Sequence, residues 1–234
     1  MVSQNVRISV PYSFLTISGN GTGRMGKNRY LRLTYSQEKE LYPMEKPVKR
    51  EEIIRAALAL IAVHGFHGAP MALIADRAGV GIGTVYLYFE NKDVLIAEIF
   101  KDIEDRLFPL IMEEYAPEKP VRERFFHLGT ALLRYFIDNP LDFRYLEQFY
   151  NSPYGVGFRR DNILGQKRNY NVYRELLEEG VDGQVIKNLP LVILFALAIG
   201  PLLTVARGHI LGFIPLDDSL IARTVEACWN GIRR

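Results

Sequence analysis

The run from Ile74 to Phe89, Ile-Ala-Asp-Arg-Ala-Gly-Val-Gly-Ile-Gly-Thr-Val-Tyr-Leu-Tyr-Phe, constrains this chain more than any other segment. Ile74, Ala75 and Ala78 fall on one helical face, and small residues there let a second helix cross closely. Gly79 stands where a tight helix–helix turn needs a left-handed residue, and Val80 is the apolar plug beneath it. A second short helix is predicted from about Ile82 to Tyr88. This is the sequence shape of a helix-turn-helix, whose second helix enters a DNA major groove.

A wider set of residues carries a family resemblance. Ile53-Ile54-Arg55-Ala56-Ala57, Gly65-Phe66, Ile74-Ala75, Ala78-Gly79-Val80, Gly83-Thr84-Val85-Tyr86, Tyr88-Phe89, Asn91-Lys92 and Leu95 keep a characteristic order and spacing. On these residues, Arg50 to Leu95 resembles the DNA-binding domain of the tetracycline-repressor-like (TetR/AcrR) family. The resemblance implies an all-α chain. A three-helix head would span residues 44–92, and a helical effector-binding and dimerisation domain residues 93–234.

Net charge does not identify the partner. Residues 1–43 hold six of the 29 Lys/Arg and two of the 27 Asp/Glu, so residues 44–234 carry a net −2. Contacts to DNA must therefore come from the local placement of a few cations. The single cysteine, Cys228, rules out an internal disulfide and suits a reducing cytoplasm. It lies on the apolar stripe of a late helix, as a buried thiol would.

Residues 1–43 show little helical periodicity, and 18–26 are rich in Gly, Ser, Asn and Thr. The segment reads as a basic arm tracking phosphates, as a disordered tail, or as absent from the physiological protein. We favour the last. Gln37-Glu38-Lys39-Glu40 requires purine-rich codons a few residues before Met44, the spacing of a ribosome-binding site ahead of a start.

Within the head, Val48 to His64 forms an amphipathic helix with Ile53, Ile54, Ala57, Leu58 and Ile61 inward. The family resemblance places Lys46, Lys49 and Arg50 near the DNA backbone and gives Lys92 a phosphate-binding role. The remaining candidate DNA contacts are Ala72, Leu73, Gly81, Ile82, Gly83, Thr84, Tyr86 and Leu87. Gly83 permits close approach of backbone to DNA or to the preceding helix. Thr84 and Tyr86 carry hydroxyls for phosphates or base edges. Val85 and Phe89 pack inward, and Tyr88 fits either the core or DNA.

Several positions depart from the family pattern. Ala69-Pro70 stand where Ser or Thr usually caps the second helix, and Gly81 where Ser usually follows Ala-Gly-Val. Ala72, Leu73, Ile82 and Leu87 replace polar residues. The surface facing DNA should be unusually apolar, with fewer phosphate bonds and more contact with thymine methyls.

Further along, Lys92–Met112 is a helix with Leu95, Ile99, Ile103, Leu107 and Leu110 inward and Pro109 near its end. Val121–Asp138 is another, with Phe125, Leu128, Leu132, Tyr135 and Phe136 inward. The aromatic stretch 141–173 borders a ligand cavity by resemblance, giving Phe125, Leu128, Tyr145, Phe149, Tyr150 and Tyr173 as candidate pocket residues. Aromatic core filler is the competing reading. Arg159, Arg160 and Lys167 would favour an anionic ligand if they lay at its mouth; solvated surface charge is the preferred reading.

Residues 188–206 contain no charge and approach the length of a membrane span. Gly200-Pro201 interrupts them and no second span exists, so we read a helix buried on all sides, against its own domain and a second subunit, rather than a membrane span. Leu220–Ile232 is the last helix. The family pairs such helices across a two-fold axis, which makes Leu191, Leu194, Phe195, Ile221, Val225 and Trp229 the candidate homodimer contacts. No phosphate loop, nucleophile elbow or paired-carboxylate motif argues for an enzyme, and His64 and His67 flank Gly65 too irregularly for a metal pair. No cofactor is implied. The expectation is a cytoplasmic regulator binding palindromic double-stranded DNA and released by a small molecule. The alternative is control by a protein partner without a small-molecule effector.

Overall fold

The computed structural model describes residues 46–164 and 172–234; the side chains of Lys46, Pro47, Phe158, Arg159 and residues 161–164 also fall outside the description. The readings of residues 1–43, Met44, the Lys46, Phe158 and Arg159 side chains, Lys167 and Tyr170 therefore lie outside the described residues. Those described are all-helical except for a single bridge between Ile186 and Arg233.

The head comprises α1 (Lys46–His64), α2 (Met71–Arg77) and α3 (Ile82–Tyr88). α4 (Lys92–Met112) leaves it as one long helix, capped by the Asn91 side chain, which accepts from Val94 N–H at 2.9 Å. The body adds α5 (Val121–Asp138), α6 (Pro140–Tyr150), α7 (Pro153–Leu164), α8 (Val172–Asp182), α9 (Leu191–Ala198), α10 (Gly200–Ile210) and α11 (Asp218–Ile232).

The 3.6-residue periodicity accounts for most of the core. Ile53, Ile54, Ala57, Leu58 and Ile61 of α1 are buried, as are Phe125, Leu128, Leu132, Tyr135 and Phe136 of α5. On α4, Leu95, Ile99 and Ile103 point inward, but Leu110 is exposed and Ile111 is buried in its place. The end of α4 turns Ile111 toward α5, where His127 Nε2 lies 3.0 Å from the Ile111 carbonyl oxygen.

Head and body share one continuous core. α6 packs along α1, and Gln148 Nε2 donates to the Ile61 and Ala62 carbonyls at 2.8 and 3.3 Å. The Ile61 carbonyl also accepts the Gly65 N–H at 2.9 Å, where the left-handed Gly65 closes α1, so Gln148 reinforces that helix end and ties it to α6.

The apolar stretch after Leu189 is only partly covered by its own domain. Leu191–Ile210 is long and apolar enough, by length and composition, to cross a membrane, but only 22% of it is buried within the protomer. It is two helices, broken at Ile199 because Pro201 has no N–H to continue the ladder. Leu194, Ala198, Leu202 and Ala206 face the core, while Val192, Ile193 and Leu197 are exposed. One face is therefore buried in the protomer's own core, and the other carries the apolar residues that the sequence reading assigns to contact with a second subunit.

Cys228 is buried on α11, and burial pushes its thiol pKa up. A thiol reagent should therefore leave the native protein unlabelled and label one site after denaturation. Rapid native labelling would contradict this placement.

Candidate DNA-binding surface

The turn between α2 and α3 is set by local chemistry. α2 has Pro70 as its N-cap, with no side-chain cap bond, and buries Met71, Ile74 and Ala75. It ends in a Schellman motif: Val80 N–H donates to the Ala75 carbonyl and Gly79 N–H to the Asp76 carbonyl, each at 3.0 Å. That closure needs a left-handed residue, and Gly79 supplies it at φ +67°. Gly81 then caps α3 without a side-chain bond, in keeping with the missing Ser.

α3 is sharply two-sided. Val85 is fully buried, and Phe89, just past the helix, is 1% exposed. Gly83 and Leu87 lie opposite Val85, with Tyr86 and Ile82 to the side of them, and all four are exposed, Leu87 to 84%. Thr84 lies half-buried beside them. Tyr88 is half-buried too and packs on the core, its ring centroid 6.4 Å from that of Phe89. Ala72 and Leu73 are exposed on α2.

Gly83 has a clear reading in this setting. A Cβ built there meets no atom within 4 Å, so close packing against α2 does not explain the glycine. The space is open to whatever docks on the exposed face. Gly83→Ala should stabilise the free protein by about 0.5 kcal/mol, because alanine forms helix better than glycine. The same change should weaken operator binding. A thermal melt and a DNA titration on one sample check both, and unchanged affinity would remove Gly83 from the contact surface.

The cations are less available than the sequence suggests. Lys49 is exposed. Arg50 instead pairs with Glu98 of α4 and lies 5.6 Å from the Phe89 ring centroid, so its guanidinium ties the start of α1 to α4. Lys92 donates to the Phe66 carbonyl, and burial lowers its pKa against the opposing effect of Asp93. Its ammonium has two further N–H donors to offer an anion. Arg77, one turn beyond Leu73 on α2, is exposed and was not among the sequence candidates. Its i+4 spacing from Leu73 was the available signal.

The other candidates do not assemble as the sequence suggested. Phe125, Leu128, Tyr145 and Phe149 are buried, and Tyr150 and Tyr173 half-buried. Phe149 stacks on Phe100 at 4.4 Å, and Tyr150 meets the Phe100 ring edge-on. Tyr145 Oη donates to the Ile96 carbonyl at 2.6 Å, and Tyr173 Oη to the Leu128 carbonyl at 3.2 Å. Burial raises both phenol pKa values. These rings are satisfied interior groups, split between two parts of the body. Neither of two surface clefts is lined by them. One, of 570 Å³, lies where α1, α4 and the α5–α6 corner meet; the other, of 320 Å³, lies at the α4–α5 connection.

Among the proposed dimer contacts, Leu194, Ile221, Val225 and Trp229 are buried within the protomer. Trp229 packs on Phe125 at 5.5 Å, and Val225 sits against Gly129 of α5, which leaves no room for a larger residue. The apolar stripe of α11 faces its own core. Only Leu191 and Phe195 of the six retain partial exposure.

Two family models match this architecture. Residues 53–99 match "Bacterial regulatory proteins, tetR family", and residues 120–233 match "Tetracyclin repressor-like, C-terminal domain". A Bacillus subtilis fatty acid metabolism regulator protein is 34% identical over 92 residues, 39% of this chain but only 46% of that protein, so the match spans about half its length. An uncharacterised helix-turn-helix regulator of Haemophilus influenzae is 22% identical over 191 residues, covering 79% of this chain and 95% of that one. The crystal structure of a TetR family transcription regulator from Marinobacter aquaeolei superposes with a TM-score of 0.71 at 23% identity, covering 80% and 97% of the two chains. The chain therefore belongs to the TetR family of helix-turn-helix, DNA-binding transcriptional regulators, and is not an enzyme.

Proposed function

We propose that this regulator is a cytoplasmic homodimeric repressor that holds a palindromic operator and releases it on binding a small molecule. The observation that carries the DNA-reading part is the exposed face of α3, with its inward side locked by Val85 and Phe89. A dimer would set two such helices in successive major grooves, about one helical turn apart. Support for the dimer comes from the family and from the exposed apolar residues Val192, Ile193 and Leu197, which a second copy would cover.

The effector acts by favouring the dimer conformation whose head spacing misfits the operator. The route runs through shared packing. Gln148 joins α6 to the end of α1, and the neighbouring Glu147 pairs with Arg207 of α10, Arg207 Nε lying 2.7 Å from its Oε1. A shift of the body helices is thus transmitted to the head through α6 as well as α4.

The test is footprinting of the full chain on the DNA upstream of its own gene, at about 150 mM salt. Leu87→Glu serves as control, since that side chain is solvent-exposed and its loss cannot disturb the core. A discrete palindromic footprint, absent in the control, is the expected result. Weak binding that fades with salt and is equal in both proteins would refute sequence-specific autoregulation. A ligand screen on the same sample should yield a compound that raises the melting temperature and releases the DNA. A partner protein that releases the DNA instead would favour the effector-free alternative.

A further inference from the structure

The exposed residues of α3 define what kind of sequence this protein can read. Bidentate recognition of guanine requires Arg or Lys, and of adenine Asn or Gln. α3 reads Ile-Gly-Thr-Val-Tyr-Leu-Tyr and contains none of the four. Its flanks add little. Gly81 precedes it, and the Asn91 side-chain oxygen is committed to the cap of α4. Arg77 is exposed on α2, the helix that crosses the DNA backbone in this motif, a place suited to phosphate rather than base edges.

The exposed face of α3 instead presents two large aliphatic side chains, Ile82 at 43% and Leu87 at 84% exposure, beside the open backbone at Gly83 and the ring of Tyr86. In the major groove the one projecting apolar group on a base edge is the C5 methyl of thymine, cytosine offering only a flat C5–H beside its amino group. Burying a leucine or isoleucine against any other base edge would strip water from polar atoms and return no hydrogen bond. Gly83 adds to this by letting the helix backbone come close enough for a side chain no longer than leucine to reach the groove floor.

We propose that the operator is read chiefly through thymine methyl groups packed against Leu87 and Ile82. The hydroxyls of Thr84 and Tyr86 supply single bonds rather than a bidentate code. The proposal rests on the DNA-binding role of α3. It also commits to the groove contact as the use of this apolar face, in preference to a protein partner.

The experiment replaces thymine by uracil. Uracil lacks the C5 methyl and keeps every hydrogen-bonding group. Binding sites are first selected from random-sequence duplex DNA with the full chain, then resynthesised with uracil at single thymine positions in both half-sites. Affinity should fall about fourfold for each methyl removed at a contacted position, and about 15-fold for a symmetric pair, from the transfer free energy of a buried methyl-sized group. In Leu87→Ala the sensitivity at the position facing Leu87 should vanish, while thymine positions facing Ile82 remain sensitive. A selected site bound equally well with uracil throughout overturns methyl readout and leaves DNA recognition standing. So does full discrimination retained by both Leu87→Ala and Ile82→Ala. Failure to select any site overturns the DNA-reading role of α3 and the proposal with it.

Discussion

A Leu197→Glu chain is expected to sediment as a folded monomer and to bind the operator at least about 100-fold more weakly than the parent, the scale set by losing the second linked head. Leu197 is 39% exposed in the protomer, so a glutamate there can stay in water and leave the fold intact. In a dimer closed over α9 and α10 the same carboxylate would be buried without a partner, at a cost no apolar interface tolerates. Ile193→Glu should behave alike, because Ile193 shares the exposed face four residues earlier. Trp229→Ala provides the contrast. Trp229 packs on Phe125 inside the protomer, so its loss should cost about 3–5 kcal/mol of protomer stability. Sedimentation and urea melts separate the two outcomes. A Leu197→Glu protein that stays dimeric and binds normally would remove the α9–α10 face as the contact between copies.

These contrasts show where the sequence was readable. The head was legible almost residue by residue because its motif is local. Gly79 had to be left-handed, Val85 and Phe89 had to face inward, and the limits of α3 and α4 follow from neighbours a few positions away. The body was legible as helices but not as faces. The stripe of Ile221, Val225 and Trp229 announces burial, yet periodicity carries no label saying whether the covering partner is α5 or a second copy. The aromatic residues of α6 were ambiguous for the same reason. Tyr145 and Phe149 look like a pocket lining until Ile96 and Phe100 are seen to occupy the space against them. The pairing of Arg50 with Glu98 was not legible because the two are distant in sequence and only the fold brings them near.

Long-range pairing of that kind also sets the second large expected effect. Arg106 on α4 meets Asp142 at the start of α6 through two bonds, Nη1 to Oδ2 at 2.5 Å and Nη2 to Oδ1 at 3.1 Å. Tyr135 of α5 donates its hydroxyl to the same Asp142 oxygen at 2.5 Å, and Asp102 accepts from Arg106 Nε at 3.2 Å. Asp142 is only 3% exposed, whereas Arg106 keeps substantial contact with water. Desolvation opposes the arginine charge, but the Asp142 contact outweighs it and raises the guanidinium pKa; burial and then Asp142 raise that of Tyr135. The two sides of the pair are thus unequal. Arg106→Ala strands a buried carboxylate with one hydroxyl partner, which should cost about 2–3 kcal/mol, less than a fully buried pair because Arg106 is partly solvated. Asp142→Asn keeps a hydrogen-bonding group in place and frees an arginine that can turn to water, so it should cost about 1 kcal/mol. The order of the two losses in urea unfolding is the decisive reading, and a larger loss for Asp142→Asn would refute it. The site also lines the cleft where α1, α4 and the α5–α6 corner meet. Arg106→Ala should therefore loosen α4 from the body and, if the proposed effector control holds, weaken its coupling to operator binding.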